Sequence, residues 1–304
     1  MRRLLTFLIA LGAVVGVTAS SLAQMMTTGV GSTLVSVAPP YQGPGDVFSG
    51  AIVFYSPARA YTAAYAAALS PAIDLVDQAG ANAITINFLS TGFVNVASIN
   101  AWVTAHSVTT IEVTRVYDQT GNGHHEVQAT LANMPTLTLN AINGLPAITN
   151  TLSVLRMDSA TAITQAQPLT MMGVAKRVTN TTQGAFLGNS SAVTPWIGSH
   201  TTTQFEYSAG TSQDAIITSA QVWNGYSILM NGASSFTNVN GTDAATPGSP
   251  GTGGWTAQGV RFMQSSGVWD GQVAEAGIWP TSTSTNRNAL YANQHSFSGY
   301  NGAF

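Results

Sequence analysis

The stretch that decides the reading is "RVYDQTGNGHHEVQAT", Arg115 to Thr130. It gathers Tyr117, Asp118, Asn122, His124, His125 and Glu126 in a chain otherwise poor in charge. Either these groups form a reactive or ligating cluster, or they build a tight turn. Upstream, "VTTIEVTRVYD" predicts a strand, with Ile111, Val113 and Arg115 facing one way and Glu112, Thr114 and Val116 the other. Asp118 can accept from backbone N–H groups one or two residues on. Gly121 and Gly123 supply positive-φ positions, which Asn122 tolerates. "EVQAT" then starts a new strand. Adjacent histidines on extended chain point to opposite faces, so His124 and His125 do not converge on one ion. The stretch reads as a bend between strands, and no metal site is expected.

Outward from this bend the pattern stays β. "GAIVFYS", "AIDLVDQ" and "AITINFL" precede it; "TLTLNA", "PAITNT", "LTMMGVAKR", "GAFLGNS", "TQFEYSAG", "YSILMNG", "VRFMQSS" and "GQVAEAGIWP" follow it. Short apolar runs punctuated by Gly, Asn, Ser and Pro point to a sandwich or barrel rather than βαβ units. Helical spacing appears in "SPARAYTAAYAAALS", in "VASINAWVTAHS", and in the tail "STSTNRNALYANQHSFSGY". Thr242–Gly254 reads as a flexible loop.

Composition narrows the class of partner. Charged residues make up 7% of the chain, and there is no cysteine. Thiolate metal sites and disulfides are thereby excluded. The N-terminus, with Arg2 and Arg3, an apolar run from Leu4 to Val17 and the small-residue site Ser21-Leu22-Ala23, has the layout of a secretory signal peptide cleaved after Ala23. Without Arg2 and Arg3, seven basic residues face twelve acidic ones, a net charge of about −5. No basic stripe suits nucleic acid, and no segment after the signal peptide is long and apolar enough for a membrane span. The expected organisation is a signal peptide over 1–23, an irregular lead-in over 24–48, and one β-sandwich domain over 49–304, secreted or held in the periplasm or cell envelope.

A resemblance sharpens this. "YDQTGNGHH", followed by "QAT" and "MPTLTLNAINGLPAI", resembles a segment of the fungal-type α-L-arabinofuranosidase B catalytic domain, an element that recurs in concanavalin A-like (laminin G-like) domains. "RAYTAAYAAALSPAIDLVDQAGANAITINF" and "VASINAWVTAHS" fit in the same order. The match is specific over Ser49–Thr151 and looser to Tyr300. It implies an all-β, concanavalin A-like jelly-roll β-sandwich with a few short helices. The fungal enzymes carry disulfides, and this chain has none.

The resemblance also implies a retaining glycosidase with two carboxylates about 5–5.5 Å apart. The family's acid/base aspartate precedes a Glu by eleven residues. Counting back from Glu275 lands on Gln264, which cannot protonate a leaving group. Asp270 is a nearby substitute. The family's nucleophile follows a "GN" turn, yet "TPWIGSH" after "LGNSS" holds no carboxylate. Glu206, in the strand beyond, is the remaining candidate and is expected to project to solvent. Trp196, Trp255 and Trp269, beside Gly, Pro and Ser, are loop or strand-edge candidates for stacking on sugars, with Gln264 as a hydrogen-bonding partner. The sequence therefore favours a carbohydrate-binding protein for a neutral glycan, using no cofactor. The alternatives are an active α-L-arabinofuranosidase and a structural or adhesive surface protein.

Overall fold

A computed structural model of the protein describes residues 40–304 apart from 152–154, 179–182, 191–194, 202, 218, 247 and 264–268. The expected signal peptide, most of the lead-in, and Gln264 lie outside the described residues. All pairings between named strands are antiparallel. Among the described residues, eighteen strands join in one hydrogen-bonded system, and a two-stranded ribbon, Trp255–Gln258 with Ile163–Gln165, stands apart from it. This is the expected all-β sandwich, and no helix among the described residues is long and apolar enough to cross a membrane.

The strand Ile111–Val116 is the junction of the system. It pairs with Pro71–Asp77 on one edge. On the other it meets Thr136 through Glu112, and Glu126–Val127 through Arg115 and Val116. From Thr136–Ile142 one row continues through Leu145–Asn150, Gly271–Trp279, Leu169–Arg177 and Asn224–Met230. From Glu126–Val127 a second runs through Met157–Ser159, Val260–Phe262, Gly184–Asn189, Trp196–Thr201, Gln204–Ser208 and Ser212–Ile216. One core joins side chains from both rows, including Ile73, Val113, Ile148, Met171, Phe186, Phe205, Tyr226 and Ile278.

The expected alternation along Ile111–Val116 fails at its end. Val113 pairs with Leu75 while Arg115 pairs with Asp74, so a bulge interrupts the register. Val116 is buried, whereas Thr114 and Arg115 are both partly exposed. The extra residue re-aims Arg115 away from the core face, as bulges do.

Gly271–Trp279 is buried at every position. The reason is a second cover. The tail helix Ser284–Ser296, capped by Thr283 and Asn286, places Leu290 against Met172, Phe54 and Trp279. Phe297 and Tyr300 pack on Val174 and Ala274. The helix expected near Tyr61 shrinks to Ala63–Ala67, while the one expected around Trp102 spans Val96–His106. The expected flexible loop over 242–254 contains a strand, Thr242–Ala245, that pairs with Phe236–Val239. Thr242, Asp243 and the alanines continue a hairpin that the nearby Gly and Pro residues obscured.

Candidate functional site

Tyr117–His125 is a structural clamp. The Asp118 carboxylate accepts from the backbone N–H groups of Phe54 (3.2 Å), Thr120 (3.1 Å) and His124 (3.1 Å), and from the Thr120 hydroxyl (2.8 Å). Gln119 Oε1 accepts from Tyr61 N–H at 2.7 Å, and its Nε2 donates to the Ser56 carbonyl at 2.9 Å. Asn122 donates to the Ile52 carbonyl at 2.9 Å. Gly121 and Gly123 take φ of +89° and +79°. The polar motif therefore pins the segment 52–61 to the bend. The two histidines diverge as expected: His124 Nδ1 meets the Thr161 carbonyl, and His125 Nδ1 accepts from Asp118 N–H.

Two buried carboxylates serve different ends. Glu275 pairs with Arg59 through both oxygens, at 2.5 and 3.0 Å, and both side chains are 0% exposed. Gln294 donates to Glu275, Arg59 donates to Asn293, and the guanidinium lies over the Phe297 and Tyr300 rings. Glu126 is equally buried, but neither carboxyl oxygen has a hydrogen-bond partner. The Tyr55 hydroxyl donates instead to the His124 carbonyl. Burial pushes the Glu126 carboxyl well above the usual carboxylate range. Below that range folded and unfolded chains both hold the proton. As pH rises the unfolded chain ionises first, so stability is lost until the folded carboxyl itself ionises. Glu126→Gln is expected to melt like the parent near pH 4 and to exceed its stability near pH 7 by about 1–3 kcal/mol, read by calorimetry at the two pH values.

Glu206 does not project to solvent. It is 2% exposed, on the face opposite Phe205 and Tyr207, which enter the core. Gln183 Nε2 donates to Oε1. Burial raises its carboxyl above the usual range. Asp214 lies directly across the hairpin, and His200 enters from the next strand at a register shift between Ser199 and Thr201. One ligand-type atom from each of His200, Glu206 and Asp214 lies within 4.8 Å of the others. The sequence reading singled out Glu206 alone. The signal for Asp214 was the turn around Gly210, from which residues 206 and 214 are equidistant. Asp270 is partly exposed, its carbonyl accepts from Val178 N–H, and its charge acts on Arg177.

The three tryptophans stand elsewhere than expected. Trp196, Trp255 and Trp269 are all buried. Trp196 opens a strand, Trp255 opens the small ribbon and donates to the Gly259 carbonyl, and Trp269 packs edge-on against Phe186. These buried indoles serve packing rather than stacking on a ligand.

A groove of about 470 Å³ with mixed polar and apolar lining lies beside the bulge. Arg115, Thr114 and Asp74 line it with Val76, Leu131 and Met134. Asp74 accepts from the hydroxyls of Thr85 (2.7 Å) and Tyr117 (3.1 Å), and Arg115 is 3.5 Å away. The guanidinium sits over the Tyr117 ring, and His125 packs on the ring's edge. Val127, 38% exposed, also lines it. The sequence pattern set Arg115 on the side of Ile111 and Val113, and the bulge turns it to this groove instead.

The architecture is an all-β sandwich, and its fold is similar to that of solved α-L-arabinofuranosidases. Among solved structures, a mutant of a GH54 α-L-arabinofuranosidase soaked with 4-nitrophenyl α-L-arabinofuranoside is similar over 83% of this chain, with a TM-score of 0.64 and 14% identity. An arabinofuranosidase complexed with arabinofuranosyl-α-1,2-xylobiose gives a TM-score of 0.59 and 15% identity, again over 83% of this chain. The chain spans 64% of the length of each of these proteins. No family model and no curated protein matches the sequence.

Proposed function

We propose that this is a secreted β-sandwich protein that binds a neutral glycan and does not cleave it. The observation that carries the proposal is the groove at the Arg115 bulge. It sets the Arg115 guanidinium, the Asp74 carboxylate and the polar side chains of Thr114 and Gln128 beside the apolar groups of Val76, Val127, Leu131 and Met134. Sugars need this combination: apolar C–H faces against aliphatic side chains and hydroxyls against fixed donors and acceptors. Its volume suits a short oligosaccharide. The solved neighbours were studied with arabinofuranosides, so arabinose-containing oligosaccharides are the first ligands to test. The Arg2–Ala23 layout supports export.

Isothermal titration with arabino- and arabinoxylo-oligosaccharides checks this. Arg115→Ala is expected to weaken binding about tenfold, roughly the value of one charge-assisted hydrogen bond. Binding unchanged in Arg115→Ala and Asp74→Asn would remove the groove from the account.

A second reading, glycoside hydrolysis, is favoured by one feature: two carboxylates, Glu206 and Asp214, stand across one hairpin with oxygens within 4.8 Å. That is close to the separation used by retaining enzymes. Release of 4-nitrophenol from the α-L-arabinofuranoside, abolished by Glu206→Gln, would establish it.

A further inference from the structure

We propose that His200, Glu206 and Asp214 form a binding site for one zinc-like divalent cation. Each ligand arrives by a separate backbone feature. Glu206 and Asp214 are direct cross-strand partners on the hairpin Gln204–Ser208 and Ser212–Ile216. Gly198 pairs with Glu206, and His200, two residues further on, leans over the same face at the irregularity in register. His200 Nδ1 and Asp214 Oδ2 are 3.4 Å apart. Ligands held about 2.0–2.1 Å from a tetrahedral zinc ion are themselves about 3.4 Å apart. The Glu206 oxygen closes the triangle with a shift on the order of 1 Å, within the reach of a side-chain rotation.

The second observation concerns unsatisfied atoms. Glu206 Oε2 and Asp214 Oδ1 are buried without a hydrogen-bond partner. A buried carboxylate with an empty lone pair is costly unless a proton or a cation meets it, and an adjacent imidazole and second carboxylate favour the cation. Gln183 donates to the other Glu206 oxygen, which fixes the carboxylate plane, as an orienting partner does beside a metal. Arg177 donates to the Ser199 carbonyl and hydroxyl at 2.7 and 2.9 Å. Entry is open, because the His200 side chain is 50% exposed.

The donor set selects the ion. One imidazole nitrogen with two carboxylate oxygens suits zinc and its first-row neighbours. Calcium takes six to eight oxygen ligands and has no use for the imidazole. Three protein ligands leave a fourth position for water.

The full chain, stripped with chelator and titrated calorimetrically with Zn²⁺ near neutral pH, is expected to bind one ion. Affinity should fall at least about tenfold in His200→Ala and in Asp214→Asn, since each removes one bond to the metal. Both substitutions alter partly exposed side chains, so circular dichroism should match the parent. Zinc should also raise the melting temperature of the parent and not of His200→Ala. Zinc binding equal in parent and both variants overturns the site, as does no binding up to about millimolar zinc or a preference for calcium that ignores His200→Ala. These results are separable from the glycan reading, which depends on Arg115 and Asp74.

Discussion

Arg59→Met is expected to lower the stability of the protein by about 3–5 kcal/mol, the largest single effect outside the hydrophobic core. The substitution keeps most of the side-chain volume and removes the charge. It leaves Glu275 at 0% exposure with only the Gln294 amide as a donor among the contacts described. The cost is the desolvation of an unpaired carboxylate rather than the intrinsic worth of the pair. It follows that adding Glu275→Leu to Arg59→Met should recover part of the loss, because an apolar pair of similar volume avoids burying charge. Thermal melts of the two single variants and the double variant check this. A double variant as unstable as the sum of the singles would show no coupling between the two side chains and would contradict this account. The Phe297 and Tyr300 rings beneath the guanidinium add a further loss that the double variant does not restore.

Asp118→Ala is expected to cost about 3 kcal/mol and to loosen the segment 52–61 from the bend. Four donors lose their acceptor at once: the N–H groups of Phe54, Thr120 and His124 and the Thr120 hydroxyl. Each buried orphan costs about 1–3 kcal/mol, reduced where water can reach it. Thr120 is partly exposed and will rehydrate, while Phe54 N–H is buried and will not. Asp118→Asn keeps one acceptor oxygen but turns an amide donor toward other donors, so an intermediate loss is expected. Amide hydrogen exchange at Phe54 and Gln119 reads the local part of the effect, and denaturant melts read the global part. Unchanged exchange at Phe54 in Asp118→Ala would refute the clamp.

Much of the scaffold was legible in the sequence because local chemistry determines it. The glycines and Asp118 of "YDQTGNGHH" build a bend by backbone rules that need no tertiary information. The β runs and the Thr283-capped tail helix were legible for the same reason. The sites were not, and for one recurring reason: they depend on register. A bulge between Val113 and Arg115 turns Arg115 to the groove, and an irregularity at Ser199–Thr201 brings His200 beside Glu206. Neither shift has a marker in a single sequence. Burial misled in the opposite direction. Trp196, Trp255 and Trp269 have loop-like neighbours yet lie inside, since a sandwich this large needs bulky side chains at its strand ends. Glu206 looked solvent-facing because its strand alternates, but the sheet's second face is covered here as well.

The central claim is recognition of a glycan without hydrolysis. Its most direct test measures 4-nitrophenyl α-L-arabinofuranoside turnover and equilibrium binding of arabinose-containing oligosaccharides on the same preparation. The predicted result is saturable binding, weakened about tenfold in Arg115→Ala, with no release of 4-nitrophenol above buffer. Sustained release that disappears in Glu206→Gln would contradict it.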